Sequence, residues 1–276
     1  MIAVTGASGE LGGRVASRLA VAGVAQQLVV RAASRAPTLD GAELAIASSY
    51  DDGEGMRAAL TGCDTVFLVS AREDAQRVAS HRSAIEAAVA AGVERIVYTS
   101  FLGATSFASF TFARDHFHTE QLIRATGLRF TFLRSSLYLD YLPLLVGEDG
   151  VIRGPAGDGR VAFVARDDIA DVAAAVLLGD EHDGETLELT GREAVTLAEA
   201  ATELTRAGGK TISYHPETID EAYASRAPSG APAFEIDGWV TSYTAIARGE
   251  LDVVTDTVAR VTGHEPISIP AFLGRH

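Results

Sequence analysis

The chain has 276 residues, 47% of them hydrophobic, with 37 acidic residues against 23 basic ones and a formal net charge of −14. This length accommodates one large α/β domain or a nucleotide-binding domain with a smaller lobe. The acidic balance excludes broad contact with nucleic acid, because neutralising phosphates needs a basic surface. No leader peptide fits the first residues and no apolar run is long enough for a membrane span, so we expect a cytoplasmic protein without nucleic-acid or membrane partners.

Short β-branched runs alternate with helical stretches over the first two-thirds of the chain, which is the pattern of successive βαβ units. The runs are apolar on both faces, as in parallel strands that are covered by helices on each side. The predicted strands are Ile2–Thr5, Gln27–Arg31, Ala42–Ala47, Thr65–Ser70, Arg95–Ser100 and Arg129–Ser135. The predicted helices are Leu11–Ala22, Gly53–Leu60, Ala75–Ala91 and Ala113–Thr126, and Gly23, Gly62, Gly92 and Gly127 follow as stops.

After about residue 145 the alternation of strands and helices becomes less regular. Glycine-rich clusters occur at 147–150 and 154–159, and such clusters are typical of turns. The pattern predicts an α/β fold, with a Rossmann-type doubly wound parallel sheet over residues 1–145 and a smaller C-terminal α/β lobe over residues 146–276. Part of this lobe is expected to return to the sheet. Its predicted elements are a helix at Arg166–Leu178, a strand at Thr186–Thr190, a helix at Leu197–Ala207, a strand at Ile212–His215 and helices to about Ala259.

A glycine-rich turn connects the first predicted strand to the first helix, with the spacing G-x-x-G-x-x-G. Glycine at these positions lets the backbone turn tightly and approach a pyrophosphate, while the helix N-terminus supplies amide donors. The turn therefore predicts dinucleotide binding. Glu10 is an unfavourable neighbour for a pyrophosphate unless its side chain points to solvent. The predicted contacts in the turn are Gly6, Ala7, Ser8, Gly9, Glu10, Leu11 and Gly12.

The end of the second predicted strand indicates which dinucleotide is preferred. An acidic residue there binds the ribose of NAD, whereas a basic residue accommodates the 2′-phosphate of NADP. Arg31 and Arg35 follow this strand and no carboxylate appears before Asp40. The sequence therefore favours NADPH over NADH, with Arg31 in the main role and Arg35 beside it.

Ligands of open α/β sheets bind beyond the carboxyl ends of the strands. Residues that follow three of the predicted strands are therefore expected around the cofactor. They are Ser70, Ala71 and Arg72, then Thr99 and Ser100, and finally Ser135, Ser136 and Leu137.

Several segments resemble the NmrA-like branch of the atypical short-chain dehydrogenases, and most closely its NAD(P)H:quinone oxidoreductase type 2 subgroup. The resemblance extends nearly from end to end, although Ser135 and Ser136 stand where Asn-Gly is usual. It implies an NADPH-dependent reductase that acts on quinones or similar planar acceptors. The matching pieces are Thr5–Gly12, Val69–Ala71, Val78–Arg82, Ala90–Ser100, Phe112–His116 with Thr119 and Glu120, Leu133–Arg134, Tyr138, Trp239 and Arg248–Leu251.

The acid of typical short-chain dehydrogenases is missing from this chain. Those enzymes protonate a carbonyl with a tyrosine that is activated by a lysine four residues later, and here the single lysine is Lys210, with Arg206 four residues before it. A quinone needs less help, since hydride addition gives a delocalised phenolate. The best polar candidate is His116, which Glu120 would orient or charge from one turn away on the same helix face.

Aromatic residues offer surface for a planar acceptor, and we expect Phe101, Tyr138 and Trp239 to contact it.

No metal is expected, because the single cysteine, Cys63, has no neighbours at metal-ligand spacing. Two alternatives stay open: a non-catalytic, dinucleotide-sensing regulator, and a reductase for a dye or an enone. The oligomeric state is predicted as monomer or homodimer.

Overall fold

A computed structural model describes residues 1–275, and its central feature is a seven-stranded parallel sheet flanked by helices. The strands are β1 (Ile2–Thr5), β2 (Gln26–Val30), β3 (Ala42–Ile46), β4 (Thr65–Leu68), β5 (Arg95–Phe101), β6 (Arg129–Ser135) and β9 (Thr186–Leu189). Their order is β3-β2-β1-β4-β5-β6-β9. The winding direction therefore reverses between β1 and β4, which is the switch point where ligands of such sheets bind.

Helices connect these strands and cover the sheet. The helices of this part are α1 (Glu10–Val21), α2 (Gly53–Leu60), α3 (Arg77–Ala90), α4 (Thr111–Ala125) and α5 (Arg166–Leu178). The N-cap of α2 is Asp52, whose carboxylate accepts a hydrogen bond from Gly55 N at 2.9 Å. A buried apolar cluster joins α2, α3 and α4 to the strands, with Met56, Ile85, Tyr98, Ile123 and Phe132 among its members.

The later part of the chain forms smaller elements around two short sheets. Strand β8 (Arg160–Val161) pairs with β10 (Val195–Thr196) antiparallel, and β7 (Val151–Gly154) pairs with β11 (Ser213–Pro216) in parallel. The remaining helices are α6 (Leu197–Gly208), α7 (Ile219–Arg226), α8 (Ala233–Ala247), α9 (Thr257–Thr262) and α10 (Ile269–Leu273).

The chain divides into two compact units, and each of them is built from three segments. Unit 1 contains Met1–Phe101, Asp115–Arg134 and Asp167–Leu187, and unit 2 contains Leu102–Arg114, Ser135–Arg166 and Glu188–His276. This division differs from the single boundary expected near residue 145. The reason is that the chain enters unit 2 soon after β5 and β6 end, and returns each time to add a helix or a strand to the sheet.

The predicted elements agree closely with those of the structure. The bounds of β1, β6, α2 and α5 are those predicted, and the other predicted strands and helices of the sheet differ by one or two residues at one or both ends. Gly23, Gly62, Gly92 and Gly127 all have positive φ, as helix stops do. Within residues 1–275, the structure contains no helix with the length and apolar character of a membrane span.

Candidate cofactor site

The glycine-rich turn between β1 and α1 requires glycine at two of its positions, Gly6 and Gly12. Gly6 has φ of +60°, a conformation that side chains rarely adopt. A Cβ at Gly12 would lie 2.8 Å from the carbonyl oxygen of Thr5 and closer still to that of Gly6. The N-cap residue Gly9 provides no side-chain acceptor, so no side chain caps the first-turn amides of α1. A backbone that turns this tightly beside a helix N-terminus fits a pyrophosphate.

A cleft of about 400 Å³ lies along this turn within unit 1. Of the two arginines that the sequence assigns to the 2′-phosphate, Arg35 is among the lining residues, whereas Arg31 is exposed outside that set. The lining residues are Ala7, Ser8, Gly9, Glu10, Gly13, Arg14, Ser17, Arg18, Arg35 and Pro37.

The charges around the first turns of α1 are largely paired with one another. Arg14 lies 2.5 Å from a carboxylate oxygen of Glu10 and 3.3 Å from one of Asp167. Arg18 contacts Asp167 and Asp171 at 3.1 and 2.5 Å. Glu10 is exposed and its charge is offset by Arg14, which relieves the repulsion that the sequence suggested. Arg35 has no ion pair within the described part of the chain and remains available to an anion.

The segment after β4, where Ser70, Ala71 and Arg72 were predicted to meet the cofactor, is fixed by side chains. Ser70 N donates to Thr99 Oγ1 at 2.7 Å, so the hydroxyl of Thr99 binds the backbone of the β4–α3 segment. Ala71 N donates to His81 Nε2 at 2.8 Å, and Ala71 O accepts from Arg77 Nε at 2.9 Å. These contacts give the exit of β4 one defined backbone path beside the glycine turn.

His116 is buried rather than exposed on its helix. Its Nδ1 atom lies 2.9 Å from Tyr98 Oη, and its Nε2 atom lies 3.1 Å from a guanidinium nitrogen of Arg77. Burial lowers the pKa of His116 well below its ordinary value, and the nearby Arg77 lowers it further. The imidazole is therefore neutral and bonded at both nitrogens within the core of unit 1.

Glu120 is buried too, but its partners differ from the one that the sequence suggested. Its carboxylate accepts hydrogen bonds from Ser100 Oγ at 2.6 Å and from Arg134 Nε and Nη2 at 2.8 and 2.6 Å. The expectation that Glu120 orients or charges His116 is therefore corrected: the two residues share a helix, but Arg134 takes the carboxylate. The hydroxyl of Ser100 is therefore engaged by Glu120.

The remaining predicted residues differ in burial. Phe101 is buried in unit 1, where its ring stacks on His116 with centroids 6.1 Å apart. In unit 2, Tyr138 is half-buried, stacks on Tyr141 at 5.9 Å and lies under the Arg166 guanidinium at 4.9 Å. Also in unit 2, Ser135 and Ser136 are buried, Leu137 is half-buried and Trp239 is 37% exposed.

Sequence reasoning assigned no role to three residues of this region: Tyr50, Arg77 and His81. Tyr50 Oη donates to Val69 O at 2.6 Å, and the two α3 residues hold Ala71 as described above. Arg77 and His81 are four positions apart, so they share one face of α3. A charged residue and a histidine at this spacing in an otherwise Ala-rich helix were the available signal, whereas nothing around Tyr50 in the sequence marked it.

Comparison with known proteins agrees with this geometry. Residues 6–180 match the family model described as NAD(P)H-binding. The chain is 35% identical to quinone oxidoreductase 2 of Escherichia coli, over 96% of this chain and 94% of that protein. It is 29% identical to the NAD(P)H azoreductase of Xenophilus azovorans, over 100% and 98% of the two chains.

Two solved structures of such proteins match over the whole chain. The NADPH complex of the E. coli NADPH-dependent quinone oxidoreductase has a TM-score of 0.91 at 32% identity, and it covers 100% of this chain and 99% of that one. The NADP(H) complex of Citrobacter triphenylmethane reductase has a TM-score of 0.87 at 29% identity, with the same coverage. The chain thus belongs to the NAD(P)H-binding family and is a quinone reductase-like NAD(P)H-dependent oxidoreductase.

Proposed function

We propose that the protein transfers hydride from NADPH to a quinone-like or other planar, electron-poor acceptor. The observation that carries this proposal is that neither a Tyr-Lys pair nor His116 is available to protonate an acceptor. The chain has no Tyr-Lys pair, and the ring of His116 is neutral and bonded to Arg77 and Tyr98. A ketone would give a strongly basic alkoxide that needs such an acid, whereas a quinone gives a stabilised anion that water can protonate.

The names of the relatives support the same class of acceptor. They are a quinone oxidoreductase, an azoreductase and a triphenylmethane reductase, and quinones, azo dyes and triphenylmethane dyes are all conjugated and electron-poor. Bound NADPH would supply the hydride, and the chain would bind and orient it. We assign contact with the planar acceptor to Tyr138, whose ring stacks on Tyr141 and, like Tyr141, lies against the Arg166 guanidinium. Phe101 and Trp239 are retained as candidate contacts from the sequence.

The preference for NADPH over NADH belongs to this proposal as well. Three arginines line the cleft beside the glycine turn, and Arg14 and Arg18 are already paired with carboxylates. Arg35 therefore supplies the charge for the 2′-phosphate, and the exposed Arg31 at the end of β2 assists it. The residues assigned to the cofactor are those of the turn from Gly6 to Gly12, the two arginines, Ser70–Arg72, Thr99, Ser100 and Ser135–Leu137.

Steady-state oxidation of NADPH against a panel of acceptors tests the proposal. The panel contains benzoquinones, naphthoquinones, an azo dye, a triphenylmethane dye and, as controls, simple aliphatic and aromatic ketones. We expect turnover with the quinones and none above background with the ketones. Ketone reduction at a rate similar to quinone reduction would overturn the proposal, because it requires a protein acid and neither a Tyr-Lys pair nor His116 supplies one.

A further inference from the structure

The three residues Val69, Ser70 and Ala71, here called the β4 exit, are fixed almost entirely by side chains of other elements. Val69 N donates to Thr5 Oγ1 at 2.9 Å, and Val69 O accepts from Tyr50 Oη at 2.6 Å. These two bonds add to those from Thr99, His81 and Arg77 described above. Five side chains from β1, the β3–α2 loop, β5 and α3 thus bind five backbone groups of three consecutive residues.

The protonation of these partners follows from their geometry. A backbone N–H only donates, so His81 Nε2 is the acceptor from Ala71 and the proton of the ring lies on Nδ1. Nδ1 then donates to Thr119 Oγ1 at 2.8 Å, and Thr119 donates to the carbonyl of Asp115 at 2.8 Å. His81 is therefore locked in one neutral form as a hydrogen-bond acceptor for the β4 exit.

The β4 exit also packs on the glycine turn. A Cβ at Gly6 would lie 3.5 Å from Val69 Cβ, which places the Val69 side chain in contact with this turn. Ser70 keeps its hydroxyl and its carbonyl oxygen without hydrogen-bond partners in residues 1–275. All other backbone polar groups from Val69 to Ala71 are bound, so the groups of Ser70 remain for a ligand.

The position of Tyr50 is itself built by the local sequence. Ser48 N and Ser48 Oγ donate to Asp52 Oδ2 at 3.1 and 2.9 Å, and the other carboxylate oxygen of Asp52 caps α2. Tyr50 lies inside this closed turn, and its hydroxyl also lies 2.6 Å from Thr5 Oγ1, one residue before Gly6. The hydroxyl of Tyr50 thus connects the glycine turn to the β4 exit.

We propose that Tyr50 and His81 are positioning residues for NADPH binding, which act by holding the β4 exit against the glycine turn in its binding-competent path. This inference rests on the proposed assignment of Ser70–Arg72 to the cofactor site. A segment that is ordered before binding costs no conformational entropy when the ligand arrives. Without these bonds, the β4 exit would lose conformational entropy when NADPH binds, and the affinity for NADPH would fall.

The decisive experiment compares Tyr50→Phe with Tyr214→Phe. Tyr214 is a matched control in unit 2, since it is also half-buried and its hydroxyl donates to a backbone carbonyl, that of Gly154, at 2.7 Å. The dissociation constant for NADPH is measured by titration of nicotinamide fluorescence, and melting temperatures are recorded in parallel. We expect Tyr50→Phe to raise the dissociation constant by about 3- to 10-fold, as loss of the hydrogen bond to the β4 exit allows, and Tyr214→Phe to leave it unchanged.

A second pair of variants tests His81. Gln at this position keeps an acceptor near the place of Nε2, whereas Leu removes it, so His81→Leu should weaken NADPH binding more than His81→Gln does. If either Leu or Gln prevents folding, the two tyrosine variants decide. An unchanged dissociation constant in Tyr50→Phe, with a melting temperature lowered as in Tyr214→Phe, would overturn the inference and leave Tyr50 a purely structural residue. Failure of the wild type to reduce quinones would refute the proposed function separately, since the binding comparison does not depend on the acceptor.

Discussion

His116 accepts a hydrogen bond from Arg77, because a guanidinium can only donate. The proton of the neutral imidazole therefore lies on Nδ1 and points to Tyr98 Oη. Both ring nitrogens are occupied by buried partners, so neither is directed to a bound acceptor. This arrangement gives His116 a place in the packing of unit 1 and removes the basis for a proton-donating role.

The first prediction is that His116→Gln lowers kcat with a quinone by no more than about 10-fold, less than the 10²–10⁴ that loss of a true general acid costs. Glutamine retains an acceptor for Arg77, which limits the effect on packing. The measurement is steady-state kinetics at saturating NADPH. A drop of several hundred-fold with NADPH binding intact would restore His116 as the acid.

The second prediction concerns the 2′-phosphate. A charge-assisted hydrogen bond contributes about 1.5–3 kcal/mol, so Arg35→Ala should weaken NADPH binding by roughly tenfold or more and leave NADH nearly unchanged. Arg31→Ala should act in the same direction with a smaller effect, since Arg31 lies outside the residues that line the cleft. Isothermal titration with both cofactors is the measurement. Equal losses for NADPH and NADH would show that these arginines do not read the phosphate.

The third prediction uses two glycines in contrasting surroundings. A methyl group at Gly12 would collide with the carbonyls of Thr5 and Gly6, so Gly12→Ala should destabilise the fold by about 1–3 kcal/mol and weaken NADPH binding. Gly208, at the end of α6, has open space around it, and Gly208→Ala should be neutral or stabilise by up to about 1 kcal/mol. Urea denaturation compares the two. Normal stability and affinity in Gly12→Ala would contradict the tight turn.

The fourth prediction concerns the buried ion pair of Glu120 and Arg134. Removing the arginine leaves a buried carboxylate without its counter-charge, so Arg134→Met should cost about 3–5 kcal/mol of folding free energy. Adding Glu120→Leu to that variant should recover much of the loss. A double-mutant cycle by chemical denaturation measures the coupling. Additive losses would mean that the two side chains do not act as a pair.

The fifth prediction follows from the buried histidines. Burial, with a smaller contribution from Arg77, lowers the pKa of His81 to about 3, and the pKa of His116 is also lowered. Unfolded histidine titrates near 6.5, so below that pH the unfolded state binds more protons than the folded state. The contribution of the two histidines to the free energy of unfolding should therefore be constant above about pH 6.5. Below that pH it should fall by roughly 1.4 kcal/mol per pH unit for each histidine.

The measurement is urea denaturation between about pH 5 and pH 8, with His81→Gln for comparison. Below about pH 6.5, the free energy of unfolding of this variant should depend less steeply on pH, by the equivalent of about one bound proton. Asp115 acts in the opposite sense, because burial raises its pKa and folding then favours its protonated form at acidic pH. Equal slopes in the wild type and His81→Gln would show that His81 titrates alike in both states.

The sheet was predictable because its signals are local. Each βα unit carries an apolar run, a helix and a glycine just beyond it, and β1, β6 and α5 have the predicted bounds. The cleft beside the glycine turn was predictable for the same reason. These features depend on neighbouring residues, which a sequence displays directly.

The arrangement of the polar core could not be read in this way. Four positions separate His116 from Glu120, which correctly places both on α4, but the partners of each come from elsewhere along the chain. Arg77 lies 39 positions before His116, and Arg134 belongs to a different strand from Ser100. Spacing defines a helix face, whereas the identity of what packs on that face depends on tertiary structure.

The three-segment construction of each unit determines how the protein can be divided or recombined. No single cut separates the two units from each other, since their segments alternate along the chain. A truncation at residue 145 would therefore remove α5 and β9 from the sheet and yield a fragment with an exposed β6 edge. Grafting unit 2 of a relative onto this scaffold requires the transfer of 102–114, 135–166 and 188–276 together.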